Sequence, residues 1–143
     1  MNPNLEMQLV EKFPWLSPNQ DLDNYSPYDG FGIETGDGWY QLIHDMFNEI
    51  AEAYKQGGLE VDIVLMQMKE KYGQLRTYFE YPDYRMYDIV EAIVNKYELL
   101  SEDVCELCGK LGKSRNRRGQ RQVLCDGCSA KNDKGFGQES EEV

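Results

Sequence analysis

An α+β fold is predicted for this chain: a small helix-covered antiparallel hairpin or three-stranded sheet, followed by a C-terminal head built on cysteines. Three observations predict it. Two segments, 38–56 and 84–100, repeat apolar residues at helical spacing. Between them, 60–68 and 75–81 read as paired strands flanking a polar connection that contains Gly73. Beyond them, all four cysteines of the 143 residues fall into two CxxC pairs, Cys105-Glu-Leu-Cys108 and Cys125-Asp-Gly-Cys128.

Residues 4–13 predict a short first helix, with Leu5, Leu9 and Phe13 four apart and Val10 beside them. Pro14 ends it, and Trp15 and Leu16 are expected to tuck under the body. The run from Ser17 to Gly30 is turn chemistry, rich in Pro, Asn and Asp. Asp21-x-Asp23 looks like the start of a calcium loop, but Tyr25 and Ser26 stand where the third ligand and the glycine are required, so calcium is not expected. Residues 31–35 alternate and supply the natural third strand. Asp37, between Gly36 and Gly38, is expected to cap the next helix, and its carboxylate fills the position that a bound phosphate would need.

That helix, 38–56, presents Trp39, Leu42, Ile43, Met46, Phe47, Ile50 and Tyr54 on one face and stops at Gly57-Gly58. His44, the sole histidine, lies on the flank as a boundary residue. In the first strand Val61, Ile63 and Leu65 alternate with Val64, Met66 and Met68, so both faces are apolar and largely covered. In the second, Leu75, Thr77, Phe79 and Tyr81 point one way and Arg76, Tyr78 and Glu80 the other. The connection 69–74 is read as structural, its alternating charges keeping the hairpin soluble. Arg76 and Tyr78, on the face less committed to the core, are the partner-surface candidates of the body. After Pro82, the last long helix aligns Met86, Ile89, Val90, Ile93, Val94, Tyr97 and Leu100. No Gly/Pro linker separates it from Cys105, so the head is expected to pack on the helix end.

CxxC is the spacing at which a tight turn aims two thiolates at one ion, and two such turns complete a tetrahedral, closed site. Zn²⁺ held by Cys105, Cys108, Cys125 and Cys128 is the expected cofactor. A redox pair, disulfides and a rubredoxin-like iron site are the alternatives, and only the first pair is followed by a glycine, Gly109. The head is a zinc ribbon or a treble clef, according to whether Ser129 onward forms a helix. Such a site is structural, since it has no place for an activated water.

Charge divides the chain. Residues 1–104 carry 7 basic and 20 acidic side chains, residues 105–134 carry 8 and 3, and residues 135–143 carry three acidic ones, within a net charge of -11. Three parts follow: an acidic α+β body (1–104), a basic four-Cys module (105–134) and an acidic tail (135–143) expected to be disordered. The opening residues lack the basic start and apolar run of a signal peptide, and no apolar stretch approaches the ~20 residues that span a bilayer. A cytoplasmic setting is therefore expected, in which CxxC binds metal or does redox work.

Three blocks together resemble a widespread, functionally uncharacterised family of small phage and prophage proteins. They are Phe31-Gly-Ile-Glu-Thr-Gly-Asp-Gly-Trp39, Met68-Lys-Glu-Lys-Tyr-Gly-Gln-Leu-Arg76, and Cys105-Glu-Leu-Cys-Gly109 with Leu124-Cys-Asp-Gly-Cys128. Thr35 stands where relatives often have Cys, and Cys128 where they often have His, a conservative exchange for zinc. The resemblance implies a phage setting, hence the cytoplasm of a host cell, and points to no particular activity.

An enzyme is not expected. His44 is remote from the cysteines, as an HNH-type nuclease would not allow; the deaminase pattern, the Walker loop and a Ser-His-Asp set are absent. No lysine has Asp or Glu two residues before it, so the Asp/Glu-x-Lys half of a restriction-type nuclease is missing. Two binding classes remain. The inter-knuckle segment 109–124 holds Arg115, Arg117, Arg118 and Arg121 with two lysines and no acid, which suits phosphate. Against nucleic acid stand the acidic body and a head without an aromatic before Phe136. A host protein, met by an acidic body and a basic head, is the favoured partner, with a nucleic acid the alternative. No membrane and no small-molecule substrate are expected.

Overall fold

The computed structural model describes residues 1–19 and 26–135, so Asp21-x-Asp23 and the tail beyond 135 lie outside it. The elements are α1 (Pro3–Lys12), α2 (Pro27–Phe31), β1 (Ile33–Glu34), α3 (Tyr40–Gln56), β2 (Val64–Lys71), β3 (Gln74–Glu80), α4 (Tyr87–Leu100), β4 (Lys113–Arg117), β5 (Gln120–Leu124) and α5 (Asp126–Gly135). The α+β class holds, and the sheet has three strands in the order β1-β2-β3.

α1 starts with the Asn2 side chain accepting the Asn4 N–H at 2.8 Å and Pro3 in the first turn, where its missing N–H costs nothing. It ends where Pro14 opens a tight turn that buries Leu16. α2 falls in the stretch expected to be turns. Ser26 and Asp29 form a reciprocal capping box, with Ser26 Oγ accepting the Asp29 N–H at 3.2 Å and Asp29 accepting the Ser26 N–H at 2.9 Å. Phe31 closes this helix, and the third strand is therefore only Ile33–Glu34.

β1 pairs with β2 in parallel, Ile33 opposite Met68. Parallel pairing needs a crossover, and α3 is that crossover. β2 and β3 pair antiparallel, but three residues later in the first strand than expected, because Lys69, Glu70 and Lys71 are strand and not loop. The turn is the two residues Tyr72 and Gly73, at φ 54° and 78°, the doubly left-handed geometry that matches strand twist. Met66 sits at a bulge, which puts Leu65 and Met68 together in the core.

One core joins these elements. Trp39, Ile43, Met46, Phe47, Ile50 and Tyr54 of the α3 face are buried with Leu65, Met68 and Leu75 of the sheet and Val90 and Val94 of α4. Each such burial contributes about 1.5–3 kcal/mol. His44 is half-buried on the flank, its ring 5.4 Å from that of Phe13. Ile89 and Leu100, expected on the α4 core face, are about half exposed, at 49% and 46%.

The free edge of β3 is closed by side chains. Ser101 Oγ accepts the Leu75 N–H at 2.9 Å, and Glu98 accepts the Thr77 N–H at 3.0 Å. Burial raises the Glu98 pKa against the pull of that N–H and of Arg76. The folded state thus holds its proton to higher pH than the unfolded chain does, and stability falls as pH rises through that window. Glu98→Gln keeps the acceptor without the charge. Urea unfolding at pH 7.5 should show it more stable than wild type, and the difference should shrink at pH 5.

Candidate metal centre

Cys105 follows α4 through the short turn Ser101–Asp103. Its carbonyl accepts the Gly109 N–H at 2.9 Å and its N–H donates to Lys110 O at 2.7 Å, closing a knuckle around Cys108. Gly109 takes φ +82°, which lets the chain leave the turn. The hairpin β4–β5 returns to Cys125, and Cys128 lies in the first turn of α5, where its N–H reaches Cys125 Sγ at 3.3 Å. Knuckle, hairpin and ligand-bearing helix give the order of a treble clef, because Ser129 onward is helical.

The four sulfur atoms lie within 4.8 Å of one another. A tetrahedral ion with metal–sulfur bonds of about 2.3 Å requires sulfurs about 3.8 Å apart. The cluster therefore fits one ion with small adjustments. Burial raises the Cys105 thiol, but N–H groups of Cys125, Cys108 and Leu107 outweigh that and bring it down to about 6. The N–H of Cys128 lowers Cys125, whereas burial and neighbouring sulfurs raise Cys128. Two thiols are thus lowered and two, Cys108 and Cys128, are raised, so holding all four as thiolates would take a bound cation. Together the residues form a metal site, complete in its own ligands.

The body is built to receive this knuckle. Gly36 N–H donates to Glu106 Oε2 at 3.0 Å, Gly38 N–H to Glu106 O at 2.7 Å, and the Trp39 indole N–H to Val104 O at 2.8 Å. A Cβ on Gly38 would lie 2.3 Å from Cys105 O and 2.6 Å from both Glu106 C and Gly109 N. The two glycines are thus the clearance that backbone needs to lie on backbone. This corrects the capping role expected of Asp37: its carboxylate accepts the Asn2 N–H at 2.6 Å and makes no cap to α3. Glu106, the residue after the first cysteine, is buried with its carboxyl pKa raised by that burial.

The Tyr72-Gly73 turn meets the head from the other side. A Cβ on Gly73 would sit 3.4 Å from Ser114 Oγ and 3.7 Å from Val123 Cγ2, and Val123 belongs to the common core. All three sequence blocks therefore converge on the four-cysteine head. The signal for this was present in sequence as small residues at 36, 38 and 73, but nothing there states what lies opposite.

The expected basic residues separate. Arg115 Nε donates to Leu124 O at 3.1 Å and its Nη2 to Asp126 Oδ1 at 2.6 Å. Arg117 Nη1 reaches Ser129 O at 3.2 Å. Both clamp β4 to the start of α5. Arg118, at φ 56° in the hairpin turn, and Arg121 on β5 are exposed. Arg76 is half-buried, its Nε without a hydrogen-bond partner, while Tyr78 is 45% exposed opposite Gln67.

No protein-family model matches the chain, and no curated protein or solved structure matches it either. Fold and site define an α+β protein with a fused four-cysteine metal head. No described helix is long and apolar enough to cross a membrane.

Proposed function

We propose that this chain is a zinc-binding interaction protein that acts on a host macromolecule in the cytoplasm by binding and without chemistry of its own. The observation that carries this reading is the ligand set. Four thiolates fill a tetrahedral zinc shell, and a full shell leaves no position for a reacting water. Zinc is favoured because soft sulfur donors in this geometry select it, with iron the competitor. The metal's part is to hold the knuckle on Gly36, Gly38 and Trp39 and the hairpin beside the Tyr72 turn. The motif resemblance supports a phage setting, in which the partner belongs to the host.

The charge division supports a host protein as that partner. A nucleic acid is favoured by a separate observation: the aromatic group that the head lacks is supplied to its border by the body at Tyr72, flanked by Lys69 and Lys71. Size-exclusion chromatography of the zinc-loaded chain with bacterial extract, with and without nuclease, tests the reading. A host complex is expected for wild type and not for Cys125→Ser/Cys128→Ser. Turnover of a nucleotide, ester or peptide substrate that requires the four cysteines would contradict it.

A further inference from the structure

Where the β2–β3 turn faces the β4–β5 hairpin, an open groove of about 380 Å³ is lined by Lys69, Lys71 and Tyr72 from the body and by Gly119, Gln120 and Arg121 from the head, with Glu70 between them. We propose that this groove binds single-stranded nucleic acid, with Tyr72 as the base-stacking platform and Lys69, Lys71 and Arg121 as the phosphate contacts. The inference rests on the reading above and names the partner of the same protein.

Tyr72 is the strongest indication. It is 74% exposed and stands at φ 54°, a position in a two-residue turn that Asn or Gly would fill without strain. Folding gains little from a bulky ring there, because most of it faces solvent, with the Lys71 ammonium 5.6 Å from the ring centre. Backbone strain carried by an exposed aromatic is a signature of a functional surface. Every base has a π-face, so such a ring serves any sequence.

The charges agree. Lys71 and Arg121 are exposed, Lys69 is half-buried, and Arg121 uses one nitrogen on Ser114 Oγ at 3.3 Å, leaving further donors for phosphate. The acid within the groove is engaged: Glu70 accepts the Gly73 N–H at 2.7 Å and so holds the turn. Glu34 lies beside Lys69 across the parallel pair and limits that end. Cations in a groove between two hairpins suit a thin, flexible strand better than the rigid, broad duplex, which the acidic body opposes. The absence of an aromatic from the head no longer weighs against nucleic acid, since the body provides one at its border.

Fluorescence anisotropy of the full zinc-loaded chain tests this with labelled 15-nucleotide single-stranded DNA, the same length of RNA, a DNA duplex and polyglutamate. Low-micromolar or tighter binding of one or both single strands is expected, with duplex at least ten-fold weaker; the two strand types tell which sugar is preferred. Tyr72→Asn suits the turn and should keep the fold while weakening binding about five-fold or more. Lys69→Gln/Lys71→Gln/Arg121→Gln should weaken binding further and flatten the salt dependence by about 0.7 per lost contact. Duplex binding equal to single-strand binding, indifference to Tyr72→Asn in a folded variant, preference for polyglutamate, or no single-strand binding at tens of micromolar would each overturn the inference. A photocrosslinker at position 72 that captured a host protein and no nucleic acid would overturn it and leave the interaction reading standing. Zinc-dependent cleavage of the oligonucleotide would instead overturn that reading.

Discussion

Replacing Gly38 with alanine is expected to destabilise this protein by roughly 3 kcal/mol or more, although the change adds one methyl group to a residue next to an α-helix. The added carbon would stand 2.3 Å from Cys105 O and 2.6 Å from two further backbone atoms of the knuckle. Overpacking commonly costs about 1–3 kcal/mol when side chains can yield, and here the opposing atoms are backbone fixed by the metal-ligand turn. Relief requires moving the knuckle, which would also break the Gly38 N–H bond to Glu106 O. Gly57→Ala is the control. Its Cβ would meet nothing closer than 3.5 Å at an ordinary φ of -80°, so urea unfolding should place it within about 0.5 kcal/mol of wild type. Equal midpoints for the two variants would refute the cradle.

Removing the metal is expected to be more damaging. Structural zinc contributes about 10–16 kcal/mol in small peptide systems, and among the described residues from 105 onward only Val123, Leu124 and Cys105 are fully buried apolar groups. The head should unfold on chelation. Two donors of the body, the N–H groups of Gly36 and Gly38, would then lose their acceptors on Glu106, each at about 1–3 kcal/mol if left dry, and the Val104 carbonyl that the Trp39 indole holds, next to Cys105, would lose its anchor. The sequence alone suggests a body that survives chelation intact. With these contacts in view, the expectation is a body that keeps its helical circular dichroism but melts earlier. In a Trp15→Phe background, Trp39 fluorescence should shift to the red as metal leaves.

What the sequence disclosed, and what it concealed, follows from the range of each interaction. The four ligands, α3, α4 and the hairpin were legible because each rests on local spacing: CxxC, a 3.6-residue period, alternation. The local sequence misleads where its chemistry admits two readings. Lys69-Glu70-Lys71 is polar and reads as loop, yet two of the three lie on the open face of a strand, where polarity costs nothing. Ser26-Pro27-x-Asp29 carries a capping box inside a run that composition alone marks as turns. Gly36-Asp37-Gly38-Trp39 reads locally as a helix start, and its main partner lies some seventy residues away in Glu106. The arginines of the inter-knuckle segment read in sequence as one charge cluster, but strand alternation sends Arg115 and Arg117 towards α5 and leaves Arg121 beside Tyr72.

The central claim, one metal ion closed off by four sulfurs, is tested most directly by X-ray absorption at the zinc edge on protein purified without added metal or chelator. One zinc per chain with four sulfur neighbours at about 2.3 Å and no nitrogen or oxygen neighbour is the expected result. Zinc with a mixed shell containing oxygen, a different metal, or metal-free protein with four freely titrating thiols would contradict it.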